Sequence, residues 1–430
     1  MISLNLRGDR ALRFAAASSA VAHLFIGVGT SLLAPSPAHA DPAPAFQDLL
    51  RSAEASPRLR EAQATVGQAE GLARQSRAWL NPTVNVEVEN FGGKGPYRGN
   101  QSAETTASVE QTIELGGKRR ARIAAADAGV EVSRARANQV KADFAFDLAQ
   151  AYTDAEVADV RLQLTRDSLS LAEDDARVAD ALVKAGKEAD LRSVQARSVV
   201  EAARADVDEA QAARTAAFAR LTGLVDSPVP FTSISVSLLD HADVDEPIPS
   251  ADPLNSPGYL FAQAERAEIA RRVRVEQTRS SPDVTVSMGV RRLAADDTNA
   301  FVGGVSVPFP VFDRNRGNIS AAQSELAAAD ERVNIARLDA QADIQSATGR
   351  LHAAVTRVKS AQNSERTALE AYRLTRVGYE AGKLPLSEVL SARRTLTDAR
   401  NQSLKARQDR LNAEAELARL RGVAPFGDQS

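Results

Sequence analysis

Cysteine is absent from this 430-residue chain, histidine occurs four times, methionine twice and tryptophan once, and Phe, Trp and Tyr together make up only 4%. Without thiols the chain can form neither a disulfide nor a thiol-linked lipid anchor, so attachment and stability rest on packing. Beyond residue 40 the soft or imidazole ligands are Met288, His241 and His352, far apart in sequence, so neither a resident metal nor a cofactor is expected. Scarce aromatics deny the chain the filling of a large globular core, and burial must come from Ala, Leu and Val. Also missing beyond residue 40 is any apolar run near the roughly 20 residues of a spanning helix, so a membrane could be crossed only by strands. No nucleophile–base, metal or phosphate constellation appears, and an enzyme is not expected. The Gly-Gly-Lys-Arg-Arg run at 116–120 lacks the G-x-x-x-x-G-K-[ST] pattern and reads instead as a membrane-interface turn with basic anchors.

The first forty residues differ from the rest. Arg7, Arg10 and Arg13 precede a mostly apolar run from Phe14 to Ala34, and Ala38-His39-Ala40 has the small-x-small pattern of a cleavage site. Residues 1–40 are therefore expected to be a cleaved signal peptide. Its removal would take the net charge from −3 to −5.

What is abundant is repetition. Ser56-Pro57 and Asn81-Pro82 recur 200 residues on as Ser256-Pro257 and Ser281-Pro282, and Ala185-Gly186-Lys187 recurs 196 on as Ala381-Gly382-Lys383. Such steady offsets describe one architectural unit used twice. Each copy opens with an Ala-rich amphipathic helix, about Pro57 to Leu80 and Pro257 to Arg279, stopped by the X-Pro pair. Alternation follows: Val84, Val86 and Val88 against Glu87 and Glu89, and Val284, Val286, Met288 and Val290 against Asp283, Thr285 and Ser287. Loops at Phe91–Thr105 and Arg291–Ala300 lead to second strands. The first sets Ala107, Val109, Ile113 and Leu115 against Glu110 and Glu114. The second aligns Phe301, Val305, Val307, Phe309 and Val311. The period-two pattern predicts a β-hairpin at 83–115 and another at 283–311, with strands of about ten residues, long enough to cross a bilayer when tilted.

The period then changes. Phe144, Leu148, Ala151, Ala155, Ala158, Leu162, Thr165, Leu169, Ala172, Ala176, Ala179 and Val183 form a heptad seam, echoed 196 residues on from Ala340 to Tyr379. The spacing predicts long helical hairpins at 119–224 and 315–422, turning at Ala-Gly-Lys, where glycine suits the left-handed residue that ends a helix. The first repeat thus spans 41–224 and the second 256–423. Residues 225–255, rich in Pro and Asp, read as an equatorial connector outside the helical cylinder. Asp41–Ser56 and Val423–Ser430, including a tail at 424–430, read as loosely structured termini.

Two hairpins supply four strands, which cannot close in lipid without leaving backbone groups unsatisfied, so several chains must pool them. Eight strands would fill with side chains; twelve leave a lumen, which polar residues such as Glu87, Glu89, Glu110, Glu114 and Asp283 would suit. The residues themselves point to a trimeric conduit. Phe91, Tyr97, Phe301, Phe309 and Phe312 read either as an aromatic girdle or as packing aromatics.

This order of elements resembles the TolC-type outer membrane efflux family over nearly the whole chain beyond residue 40. The stretches Val109–Arg120 and Val307–Gly317 resemble the strand-to-helix joints of its cobalt-zinc-cadmium branch. The resemblance implies a mainly α fold with a membrane β-barrel: a homotrimer whose twelve-strand outer membrane barrel continues into a twelve-helix periplasmic α-barrel. It implies docking onto a periplasmic adaptor and an inner-membrane pump of the resistance-nodulation-division class, in contact with outer membrane lipid and without a nucleic-acid partner. The resemblance makes the tips, Ala185, Gly186, Lys187, Ala381, Gly382, Lys383 and Leu384, candidates for adaptor docking. It makes Glu388 and Ser391 candidates for a periplasmic gate, although the best-known branch has an acid where Ser391 stands. Glu388 is either a lumen carboxylate or a solvated outer-face residue. Arg192, Arg393 and Arg394 are expected to form interhelical pairs that hold the aperture closed. Exported divalent metal cations are one reading and organic toxicants another. A periplasmic coiled-coil adaptor or structural protein would not need the strands.

Overall fold

The computed structural model describes residues 41–244 and 247–427. The expected signal peptide and the last three residues of the tail lie outside the described residues. Elements run α1 (Phe46–Ser52), α2 (Pro57–Ser76), β1 (Thr83–Glu89), β2 (Glu104–Ile113), α3 (Lys118–Lys184) and α4 (Asp190–Val225). After the connector come α5 (Pro257–Arg279), β3 (Val284–Leu293), β4 (Thr298–Ser306), α6 (Arg316–Glu380) and α7 (Leu386–Arg421). The duplication is thus literal, helix, hairpin and helical hairpin in each copy. Ser256 caps α5, its side chain accepting from the Tyr259 amide, and Pro257 takes the first helical position where its missing N–H costs nothing.

The strands form one antiparallel sheet in the order β1-β2-β3-β4. Val84, Val109, Met288 and Gly303 lie side by side across it, as do Val86, Ala107, Val290 and Phe301 in the next apolar row. Between these rows, on the other face, lie Asn85, Ser108, Gly289 and Val302. Because pairing partners share a face, the sheet has one apolar side and one mostly polar side. The apolar side lies bare: Phe301 is 93% exposed and Met288 73%. Both β1 and β4 are open edges, since each has one partner strand.

The second hairpin is shorter than the alternation predicts. Its ladder ends at Ser306, leaving Val307, Phe309 and Val311 outside, because Pro308 and Pro310 have no N–H to give a neighbour. Arg291–Leu293 belong to β3, so the turn shrinks to residues 294–297. Glu114 and Asp283 fall just beyond the strands and serve as clamps, Glu114 pairing with Arg122 and Asp283 with Lys118 at 2.8 Å. Lys118 is therefore an internal partner rather than a membrane anchor. Arg119 instead lies over the exposed Trp79 ring, 4.6 Å from its centre. Helix α2 stops at Ser76, four residues before the expected Leu80.

Helix α3 runs 67 residues and α6 runs 65, each about 100 Å at 1.5 Å per residue. Of the predicted first seam, Phe144, Leu148, Ala151, Ala155, Leu162, Ala172, Ala176 and Ala179 are buried. The shorter helices flank the long ones in space: α2 and α4 both lie against α3, while α5 and α7 lie between α3 and α6. The wall therefore reads α2/α4, α3, α5/α7, α6, and its open flanks coincide with the repeats' outer helices. Exposed Leu72, Leu191 and Val194 mark one flank and exposed Ile335, Leu338, Leu374 and Val377 the other.

The described parts of the termini, residues 41–56 and 423–427, pack against the core, unlike the loosely structured ends expected from the sequence. Ala43 forms a parallel bridge with Ile234, and Phe46 packs edge-on against both Tyr152 and Phe426. The connector is strapped down as well. The buried Glu156 carboxylate accepts from the Leu238 amide at 2.9 Å and from Leu239, the Tyr152 hydroxyl donates to the Val236 carbonyl, and Arg410 donates to Ala242 O. These polar ties surround an apolar cluster of Phe144, Leu148, Phe218, Leu221, Leu238 and Leu411.

Candidate functional site

The end of the helical wall farthest from the sheet gathers most of the candidate residues. At the first tip α3 ends at Lys184 with Ala185 as its cap, Gly186 is left-handed with φ 69°, and Lys187 N donates back to Leu182 O at 2.9 Å. The second tip repeats this, with Gly382 at φ 70° and Lys383 N donating to Gly378 O at 2.9 Å. Ala185, Gly186, Lys187, Ala381, Gly382, Lys383 and Leu384 are all exposed. Leu384 folds back onto Gly378, a fit that needs the missing side chain there, since a Cβ would stand 2.6 Å from Leu384 Cδ1.

The five candidate gate residues divide between faces. On α7 the buried row is Leu386, Val389, Arg393 and Leu396, while Glu388, Ser391 and Arg394 are exposed. The side chain of Arg393 is only 8% exposed, and its Nε lies 3.8 Å from Asp175 Oδ2 of α3. An interhelical pair thus exists for Arg393. Arg192 instead pairs within its own tip, 3.8 Å from Glu188, and donates to Gln195 at 3.1 Å.

Around Asp175 lies a polar cluster that the sequence reading did not single out. Tyr372 of α6 donates its hydroxyl to Asp175 Oδ1 at 3.4 Å, and Arg376 reaches Asp174 at 3.6 Å and Glu380 at 3.0 Å. Tyr379 is buried one heptad nearer the tip. Ala172, Ala176, Ala179, Leu386, Val389 and Leu396 enclose the group. The cluster ties α3 of the first repeat to α6 and α7 of the second. Burial dominates its electrostatics. It raises the Asp175 carboxyl despite Arg393 and Arg376, lowers the Arg393 guanidinium, and with the Asp175 charge pushes the Tyr372 hydroxyl up to about 12.

Glu156 and Glu268 are raised by the same cause. A carboxyl raised in the fold holds its proton more tightly there than in the unfolded chain, so stability falls as pH rises through the raised value. The heat-dissociation temperature of the assembled protein is expected to climb as pH drops from neutral toward the ordinary carboxylate values of 3.8 and 4.5. Asp180 and Glu370 shift the other way, drawn down by hydrogen bonds to Ser193 and Arg373, but both reach solvent and weigh little. Melting curves across this range check the sign, and Asp175→Asn should flatten them.

Among the described residues no group of three or more His, Asp or Glu could hold a metal ion. His241 pairs with Glu414 at 2.8 Å, and His352 is exposed on α6. The arrangement offers a wall with a bare apolar sheet face, two open edges and a polar-tied tip.

Comparison with known proteins agrees with this geometry. The family described as Outer membrane efflux protein matches residues 49–226 and 254–423, the two repeats without the connector. The Nickel-cobalt-cadmium resistance protein NccC of Alcaligenes xylosoxydans is 39% identical over 93% of this chain and 92% of its own length. The Cobalt-zinc-cadmium resistance protein CzcC of Cupriavidus metallidurans is 32% identical over 82% and 84%. Among solved structures, CusC superposes with a TM-score of 0.75 at 18% identity, covering 88% of this chain and 92% of that one. The outer-membrane channel OprN gives 0.76 at 19%, covering 88% and 89%.

Proposed function

We propose, because this chain belongs to the outer membrane efflux protein family, that it is the outer membrane duct of a tripartite efflux system exporting divalent nickel, cobalt, cadmium or zinc. The observation that carries the duct is the four-stranded sheet open at both edges, with a bare apolar face on one side and carboxylates on the other. An open edge in lipid leaves backbone groups unpaired, so β4 of one copy pairs with β1 of the next. Three copies give twelve strands and a water-filled lumen, where two would give a barrel plugged by its own side chains. The helical flanks close in the same sense, Leu374 and Val377 of one copy facing Leu191 and Val194 of the next.

The family works with an adaptor and an inner-membrane pump and forms trimers; the exposed Ala-Gly-Lys turns are the docking tips for the adaptor, and the pump is of the resistance-nodulation-division class. The duct is passive, and the metal is its cargo. Phe91 and Tyr97 at one end of the sheet, and Phe309, Phe312 and Trp79 at the other, belong to the two membrane interfaces. The resemblance of the curated relatives to one another in metal resistance supports a metal cargo over an organic one.

Deleting the gene is expected to lower tolerance to nickel, cobalt, cadmium or zinc several-fold, with little change toward organic toxicants, and expression from a plasmid should restore it. Unchanged metal tolerance with lost tolerance to organic compounds would move the duct to the other cargo class. Glu388, exposed in the first turn of α7, supplies a carboxylate ring at the aperture. Glu388→Ala should reduce block by multivalent cations added on the tip side, measured on single trimers in planar bilayers; unchanged block would remove the ring.

A further inference from the structure

The polar face of the sheet carries an ionic triad near the hairpin loops, the end away from the long helices. Glu89 and Glu104 are direct partners across β1 and β2. Two carboxylates placed opposite each other on neighbouring strands repel. Arg291 of β3 reaches back to both: its Nη1 lies 2.8 Å from Glu104, its Nη2 3.3 Å from Glu89, and its Nε donates to Thr106 Oγ1 at 2.9 Å. Asn90 donates to the remaining side of Glu104 at 3.1 Å. The reverse face of these strands is the apolar one, so in a closed barrel the triad lines the lumen at its outer mouth.

A pair of facing carboxylates with oxygen neighbours is what a hard or borderline divalent cation takes as ligands. In a duct for such cations, a site of this kind at the exit would retain the cargo, since conduction requires binding weak enough for release. Arginine has the properties that forestall this. Its guanidinium stays charged at every working pH, and its planar fork spans two carboxylates, which a point charge does not. We propose that Arg291 is a specificity-determining residue of the duct, a built-in cation that fills the Glu89–Glu104 site and keeps the exported metal from lodging at the exit. The inference rests on reading the chain as a divalent-cation duct.

The test uses purified trimers in planar bilayers with nickel or cobalt chloride added on the loop side. Wild type should pass current with little block. Arg291→Gln should lower the half-blocking metal concentration about tenfold. The triple variant Glu89→Gln, Glu104→Gln, Arg291→Gln should lose that block again. An Arg291→Gln channel indistinguishable from wild type, or block that survives in the triple variant, overturns the proposal. If the glutamine variant yields no trimers, Arg291→Lys decides, because it keeps the charge but spans one carboxylate only. Partial block supports the role of the fork, and wild-type behaviour refutes it. Failure of the cargo reading looks different: the block pattern would hold while the deletion strain kept its metal tolerance.

Discussion

Channels carrying Asp175→Ala should leak at the tip. The substitution strands the buried Arg393 guanidinium in an apolar enclosure and removes the acceptor of the Tyr372 hydroxyl. Removing one member of a buried pair costs about 3–5 kcal/mol, much of it the penalty of the charge left behind. That loss falls where α3 of one repeat is held to α6 and α7 of the other, so the helix ends should splay. Two readouts follow: single-channel conductance should rise and the heat-dissociation temperature should fall. The companion variant Asp175→Leu with Arg393→Met replaces the pair by apolar side chains and should recover the stability, since such swaps are often neutral or better. It should not restore wild-type conductance if the directional hydroxyl contact matters. Wild-type conductance and stability in Asp175→Ala would show the cluster to be inert packing.

The second large effect is expected at Gly289. A Cβ built there overlaps the Ala107 carbonyl oxygen and stands 2.8 Å from Ser108 Cα, both backbone atoms of β2 that no rotamer can move aside. The β2–β3 ladder is also the seam between the two repeats' hairpins. Gly289→Val should therefore cost more than about 3 kcal/mol, beyond ordinary overpacking, and leave no heat-dissociable trimer in membrane fractions. Gly303 is the internal control. A Cβ there would stand 3.8 Å from its nearest neighbour, the Ser287 carbonyl oxygen, and point to the apolar side, so Gly303→Ala should assemble normally. Equal trimer yields from the two variants would mean that the strands separate more freely than their packing implies.

Much of this molecule was legible because its order is local and periodic. The switch from period two to heptads located the hairpins and shafts, and the left-handed glycines located the turns. What escaped was non-local. Nothing near Phe46 announces that its ring rests on Tyr152, so the amino-terminal segment read as loose although it completes the central core. Alternation overran the real end of β4 because side-chain polarity says nothing about the missing amides of Pro308 and Pro310. The tip was half legible. Arg393 continues the apolar row Leu386, Val389 and Leu396, and that phase distinguishes it from its neighbour Arg394. Its partner Asp175, by contrast, sits in the other repeat, more than two hundred residues away in the chain, and only the packing of α3 against α7 brings them together.

The two hairpins finish in turns of unequal height, residues 90–103 in the first and residues 294–297 in the second. Around a three-fold rim, tall and low turns must alternate, so the face shown to the surroundings is a crown of three knuckles separated by three notches. The knuckle holds left-handed Gly92, Gly95 and Gly99, with Tyr97 and Lys94 exposed between them, whereas the notch is cinched by Arg292 and Asp297 at 3.0 Å. Antibodies, phages or an engineered peptide tag would meet the knuckles first, and their glycine-rich turns offer an insertion point away from the lumen.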